Sequence, residues 1–90
     1  MRYYLTQEEM NKIEKLAECA LSASNKEEAK KYIQQMRFAT DDVWGVSKNI
    51  LSEMIAAIDN AAGMVSDKAR KESIVNQLII KAQMSCVEKN

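Results

Sequence analysis

The chain has no proline and no histidine in 90 residues, and only two glycines, two cysteines, one tryptophan and one phenylalanine. The missing histidine excludes the most. Histidine is the commonest metal ligand and the one side chain whose unperturbed pKa lies near physiological pH. Di-iron bundles with a Glu-x-x-His on two helices, His-bearing zinc sites, and Ser or Cys triads with an imidazole base cannot be built from these residues. Two glycines are too few for a Gly-rich dinucleotide turn. The stretch Gly63 to Lys68 lacks both the second glycine and the preceding strand of a phosphate loop. No cofactor, metal or catalytic residue is expected.

Charge of one sign is absent too: 13 basic and 13 acidic residues give a formal charge of zero. No global field steers the chain to nucleic acid or anionic lipid, so such a partner would need a local patch. No apolar run approaches the roughly 20 residues that span a bilayer, and Met1-Arg2-Tyr3-Tyr4 opens no signal peptide. A cytosolic protein with no membrane partner is expected. Cys19 and Cys86 lack CxxC spacing, and both are expected on the apolar stripes of their helices as buried, reduced thiols. A disulfide joining the first and last helices would require an oxidising compartment.

What is present is a strong helical grammar. With 47% hydrophobic and 29% charged residues the chain has the composition of a soluble globular domain. Thr6-Gln7-Glu8-Glu9 and Ser24-Asn25-Lys26-Glu27 both read as capping boxes, and Leu5 is placed to staple against Met10. Thr40 or Asp41 offers a third start, with Asp41 and Asp42 against the positive end of a helix dipole. Ser66 or Asp67 offers a fourth, and Gly63 is placed to terminate the helix before it. Lys68, Arg70 and Lys71 in that last first turn oppose the dipole. The fold expected is all-α: one domain over residues 1–90, with helices at 6–23, 25–38, 41–62 and 67–87. The first two form a helical hairpin packed on a long third helix, and the last completes the bundle.

Apolar spacing assigns the core. Met10, Ile13, Leu16, Ala17, Ala20 and Leu21 share one face of the first helix, and Ala29, Tyr32, Ile33 and Met36 one face of the second. Ile74, Val75, Leu78, Ile79, Ala82 and Cys86 do the same in the last. In the third helix Trp44, Ser47, Leu51, Met54, Ile58, Ala61 and Val65 recur as a heptad-like seam, widened by Ile50, Ile55 and Ala57. That seam exceeds what one small neighbour covers, so the helix is expected to be central or shared with another chain. Trp44, Leu51, Met54, Ile58 and Val65 are the candidate interaction residues. A chain this short has only a modest folding surplus, and oligomerisation is the expected reinforcement.

One stretch, Trp44 to Ile55, resembles the turn and recognition helix of a helix-turn-helix. Gly45 would make the turn, Val46 would point inward and Ser47 would cap. Ser47, Lys48, Asn49 and Ser52 would then face the major groove, with Asn49 bonding an adenine edge. Asp41 opposes this reading, since it falls where the two helices of that motif cross closely and a buried unpaired charge is costly. Zero net charge opposes it further.

The leading expectation is therefore a non-catalytic helical protein-interaction module, a homodimer that also binds an unidentified protein, of bacterial or phage accessory type. The alternatives are a helix-turn-helix-like DNA-binding regulator using Gly45 to Ile55, and a binder of a small anionic ligand using Tyr32 and the nearby lysines. Met10, Met36, Met54, Met64 and Met84 read as core rather than as an adaptable surface.

Overall fold

In a computed structural model the chain forms four α-helices: α1 Gln7–Ser22, α2 Lys26–Ala39, α3 Val46–Met64 and α4 Lys68–Ser85. Residues 2–64 and 67–89 are described, and of Gly63, Met64, Lys68 and Ile74 the backbone alone. No strand occurs among the described residues, and the all-α bundle expected from the apolar spacing is the one observed.

The caps explain where the helices begin. Thr6 Oγ1 accepts the Glu9 N–H at 3.2 Å while Glu9 Oε1 accepts the Thr6 N–H at 3.0 Å, a reciprocal capping box. At α2 the cap is Asn25, not Ser24. Asn25 Oδ1 accepts the Glu28 N–H at 2.8 Å, and Glu28 Oε2 reaches back to the Ser24 N–H at 3.1 Å. The box expected over 24–27 is thus displaced by one residue, because Asn caps as well as Ser and Glu28 is long enough to reach one position further. Asp67 caps α4, accepting the Ala69 N–H at 3.0 Å. Ser66, the other candidate, lies outside the described residues.

The third helix departs most from expectation. It starts at Val46 rather than 41, because Thr40 ends α2 decisively: its hydroxyl donates to the Met36 and Arg37 carbonyls at 3.1 and 3.3 Å. Asp41 and Asp42 consequently sit in a turn, exposed, and complement no helix dipole. Gly45, at φ 77°, reverses the chain immediately before α3. Gly63, expected to terminate this helix, lies within it.

Helices α1 and α2 pack as one hairpin and α3 and α4 as another, and α1 and α3 each touch all three other helices while α2 and α4 do not meet. The two inner helices therefore carry the core. It is aliphatic: Leu5, Met10, Ile13, Met36, Leu51, Met54, Ile55 and Ile58 are all fully buried. Leu5 and Met10 join it together, as the staple requires. Lys71 is buried in the first turn of α4, where a lysine can shelter its methylene stem.

Residues 2–5 form an extended strap across one end of the bundle. On one side Arg2 pairs with Val43, through Arg2 N–H to the Asp42 carbonyl at 3.1 Å and Trp44 N–H to the Arg2 carbonyl at 2.8 Å. On the other Leu5 pairs with Val87, through Leu5 N–H to the Cys86 carbonyl and Glu88 N–H to the Leu5 carbonyl, both 2.8 Å. Cys86 is buried as expected, its thiol 3.7 Å from the Ser47 carbonyl, and burial pushes its pKa up. Cys19 is exposed, contrary to expectation, because the buried stripe of α1 passes through 16, 17, 20 and 21 and leaves position 19 on the outer side. Both thiols are free, and no disulfide joins α1 to α4.

Candidate interaction surface

All five aromatic side chains lie outside the buried core. Phe38 is 85% exposed, Tyr3 and Trp44 55%, Tyr4 52%, and Tyr32 is half-buried against the core edge. Close aliphatic packing already fills the interior, so these rings contribute little to it.

Three of them gather at one end. The strap carries Tyr3 and Tyr4, the bridge from Arg2 to Val43 brings the turn after α2 alongside, and Trp44 follows directly. The Tyr3 ring lies against Gly45. With Val46 and Ser47 these residues line an open depression of about 380 Å³. Val46 is itself 73% exposed.

Beneath the strap, Arg2 fixes its position. Its guanidinium donates in parallel to Glu9, Nη1 to Oε1 at 2.5 Å and Nη2 to Oε2 at 2.6 Å, and Nη2 also reaches Asp42 Oδ1 at 3.3 Å. Two-pronged pairing of this kind is the strongest arrangement open to Arg and a carboxylate. It holds the Glu9 carboxyl at a pKa of about 2, against an ordinary 4.5, and raises that of Arg2. The ion pair thereby ties the strap to α1 and to the turn before α3.

The expected interaction residues separate into two groups. Leu51, Met54 and Ile58 are fully buried, covered by this chain's own helices, so the middle of the seam is hidden without a second chain. Trp44 stands half-exposed at the aromatic end. Val65 lies outside the described residues.

The placements expected of a helix-turn-helix are met in part. The turn between α2 and α3 takes six residues, Thr40 to Gly45, and Val46 points outward. Ser47 is buried, and Lys48 Nζ donates to the Thr40 carbonyl at 3.0 Å, neutralising the end of α2. Asn49 and Ser52 are exposed while Ile50, Leu51, Met54 and Ile55 are buried, as a helix with one face outward requires. Asp41 is exposed, and the desolvation that opposed the motif on sequence grounds does not arise.

Among the described residues no group of three or more Cys, Asp and Glu side chains could hold a metal ion, and no helix is long and apolar enough to cross a membrane. No family model matches the chain, and neither a curated protein nor a solved structure matches it.

Sequence reasoning missed this aromatic end because Tyr3 and Tyr4 belong to no helix and Trp44 falls in phase with the seam of α3. The only signal available was the pairing of aromatics with a glycine turn, which by itself specifies no long-range contact.

Proposed function

We propose that the protein is a non-catalytic helical interaction module that pairs with a second copy of itself through Tyr3, Tyr4, Trp44 and Val46 and also engages a different protein. The observation carrying this reading is the exclusion of every aromatic ring from the buried core. Tyr and Trp dominate binding energetics at protein interfaces, because they bury large rigid surfaces at low entropic cost. Tyr3 and Tyr4 ride on a strap pinned by Arg2, to whose carbonyl the Trp44 N–H donates, so the backbone carrying the three rings is held before any partner arrives, which reduces the entropy lost on docking. The free, exposed Cys19 thiol favours a reducing, cytosolic setting.

Sedimentation equilibrium from micromolar to millimolar protein tests the pairing. Wild type is expected to reach twice the monomer mass and Trp44→Ala to remain monomeric. A wild-type monomer throughout that range defeats the self-association, and dimers unchanged by Trp44→Ala move the interface elsewhere.

DNA binding is the second reading, favoured by the exposure of Asn49 and Ser52 on the surface of α3. The buried Ser47 and the engaged Lys48 leave that face with few phosphate-binding groups. Retention of wild type on duplex DNA that falls with salt and is lost in Asn49→Ala would reverse this order.

A further inference from the structure

A second surface lies in the groove between α1 and α2. It has a volume of about 640 Å³. Lys12 and Leu16 form the α1 wall, and Lys31, Gln34, Gln35 and Phe38 the principal wall of α2. On each helix these positions recur at spacings of three and four, so each set stands on one face. From Lys31 to Phe38 the groove runs seven residues, about 10 Å at 1.5 Å per residue, the length of two helical turns.

Three properties of this groove bear on its occupant. The ionisable residues that line it, Lys12 and Lys31, are both basic, while Glu8 and Glu27 stand one helical turn before them and Asp41 lies on the other side of Phe38. Neither lysine belongs to the ion pairs of Arg2 with Glu9 and Asp42, and the ammonium that bonds the Thr40 carbonyl is that of Lys48. The groove's apolar parts are Leu16 in the floor, Ala39, and at the rim Phe38, the most exposed large hydrophobic side chain among the described residues.

We infer that the α1–α2 groove docks an acidic amphipathic helix of a partner protein, with the partner's apolar residues seated on Leu16 and Phe38 and its flanking carboxylates on Lys12 and Lys31. Helix-in-groove recognition uses this combination of an apolar stripe and complementary charged edges. Charge decides against a second copy. A twofold pairing through this face would set lysine-lined walls against lysine-lined walls, with no acid among the residues that line either. Tyr32, beside which a small anionic ligand is the sequence alternative, takes no part in this wall. The inference rests on the reading of the chain as an interaction module but not on its self-association.

Synthetic two-to-four-turn amphipathic peptides, capped at both ends, test it. One carries Leu and Phe anchors flanked by Glu, and its counterpart carries the same anchors flanked by Lys. Amide chemical shifts of the full-length protein are followed on titration. The Glu peptide is expected to perturb the amides of Lys12, Leu16, Lys31, Gln35 and Phe38, with affinity falling as salt is added. Phe38→Ala should weaken it tenfold or more, and the double variant Lys12→Glu, Lys31→Glu should invert the preference to the Lys peptide. All three side chains are exposed, so these variants retain the wild-type far-UV spectrum.

Trp44→Ala should bind the Glu peptide as wild type does, which separates this docking from dimer formation. Equal binding of both peptides, shifts centred outside the groove, or no shift at millimolar peptide would overturn the inference. So would groove shifts produced by raising protein concentration alone, since a second copy would then be the occupant.

Discussion

Tyr3 and Gly45 approach so closely that a β-carbon on Gly45 would stand 3.2 Å from Cδ1 of the tyrosine ring. The glycine also holds φ 77°, where a side chain is disfavoured by its own backbone. Gly45→Ala should therefore lower stability by about 1–2 kcal/mol, seen as an earlier denaturant midpoint. An unchanged midpoint would mean that this turn relaxes without cost.

The two N-terminal caps give a paired test. Thr6→Ala and Asn25→Ala should each cost about 1 kcal/mol, because each removes the acceptor of a helix-end N–H. Ser24→Ala should be nearly silent, since it is the backbone of Ser24 that Glu28 engages. A larger loss at Ser24 than at Asn25 would restore the cap to the earlier position.

Acid should loosen the strap before it unfolds the core. The Glu9 carboxyl sits at about 2 in the fold against an ordinary 4.5, so the folded state favours its ionised form. The stability this provides is complete above pH 4.5 and is lost as pH falls from there toward 2. Urea midpoints of wild type and Glu9→Gln should therefore differ at neutral pH and converge through that window. Parallel curves would show that Arg2 does not hold this carboxylate in solution.

Substitutions along α3 separate packing from recognition. Leu51→Ala or Met54→Ala should destabilise by about 2–5 kcal/mol, as deletions from a filled core do. Trp44→Ala should stay within about 0.5 kcal/mol of wild type, as exposed positions do. Thermal or chemical unfolding monitored by far-UV dichroism decides between them. Severe destabilisation at Trp44 would reassign its ring to the fold.

Local signals were readable in the sequence wherever they were self-contained. The Thr6 box, the Asp67 cap, the stripe of α1 and the stretch Ser47 to Ala61 of the α3 stripe depend on neighbours within a turn or two, and each was found where spacing placed it. The seam of α3 was legible as an apolar face, but periodicity specifies which side is buried and not what covers it. Here α1, α2 and α4 cover it. The turn at 40–45 was missed because Asp41 and Asp42 follow Thr40 as a helix start would, while the bonds that end α2 come from Thr40 acting backward. The strap was illegible for a different reason: Arg2 with Val43 and Leu5 with Val87 are pairings at long range, and nothing near either partner announces the other. The groove of Lys12, Lys31 and Phe38 was hidden likewise, since it exists only once α1 and α2 lie side by side.

Because Leu5 is hydrogen-bonded to the segment around Val87 and Arg2 to that around Val43, the strap shuts a loop containing nearly the whole chain. Closing so long a loop is opposed by chain entropy, so this clasp should engage late in folding and release early. Its amides, those of Leu5, Trp44 and Glu88, should then exchange their hydrogens with solvent together and ahead of the interior of α1 and α3. The beginning and end of the described chain would behave as one latch, and whatever frees one would free the other.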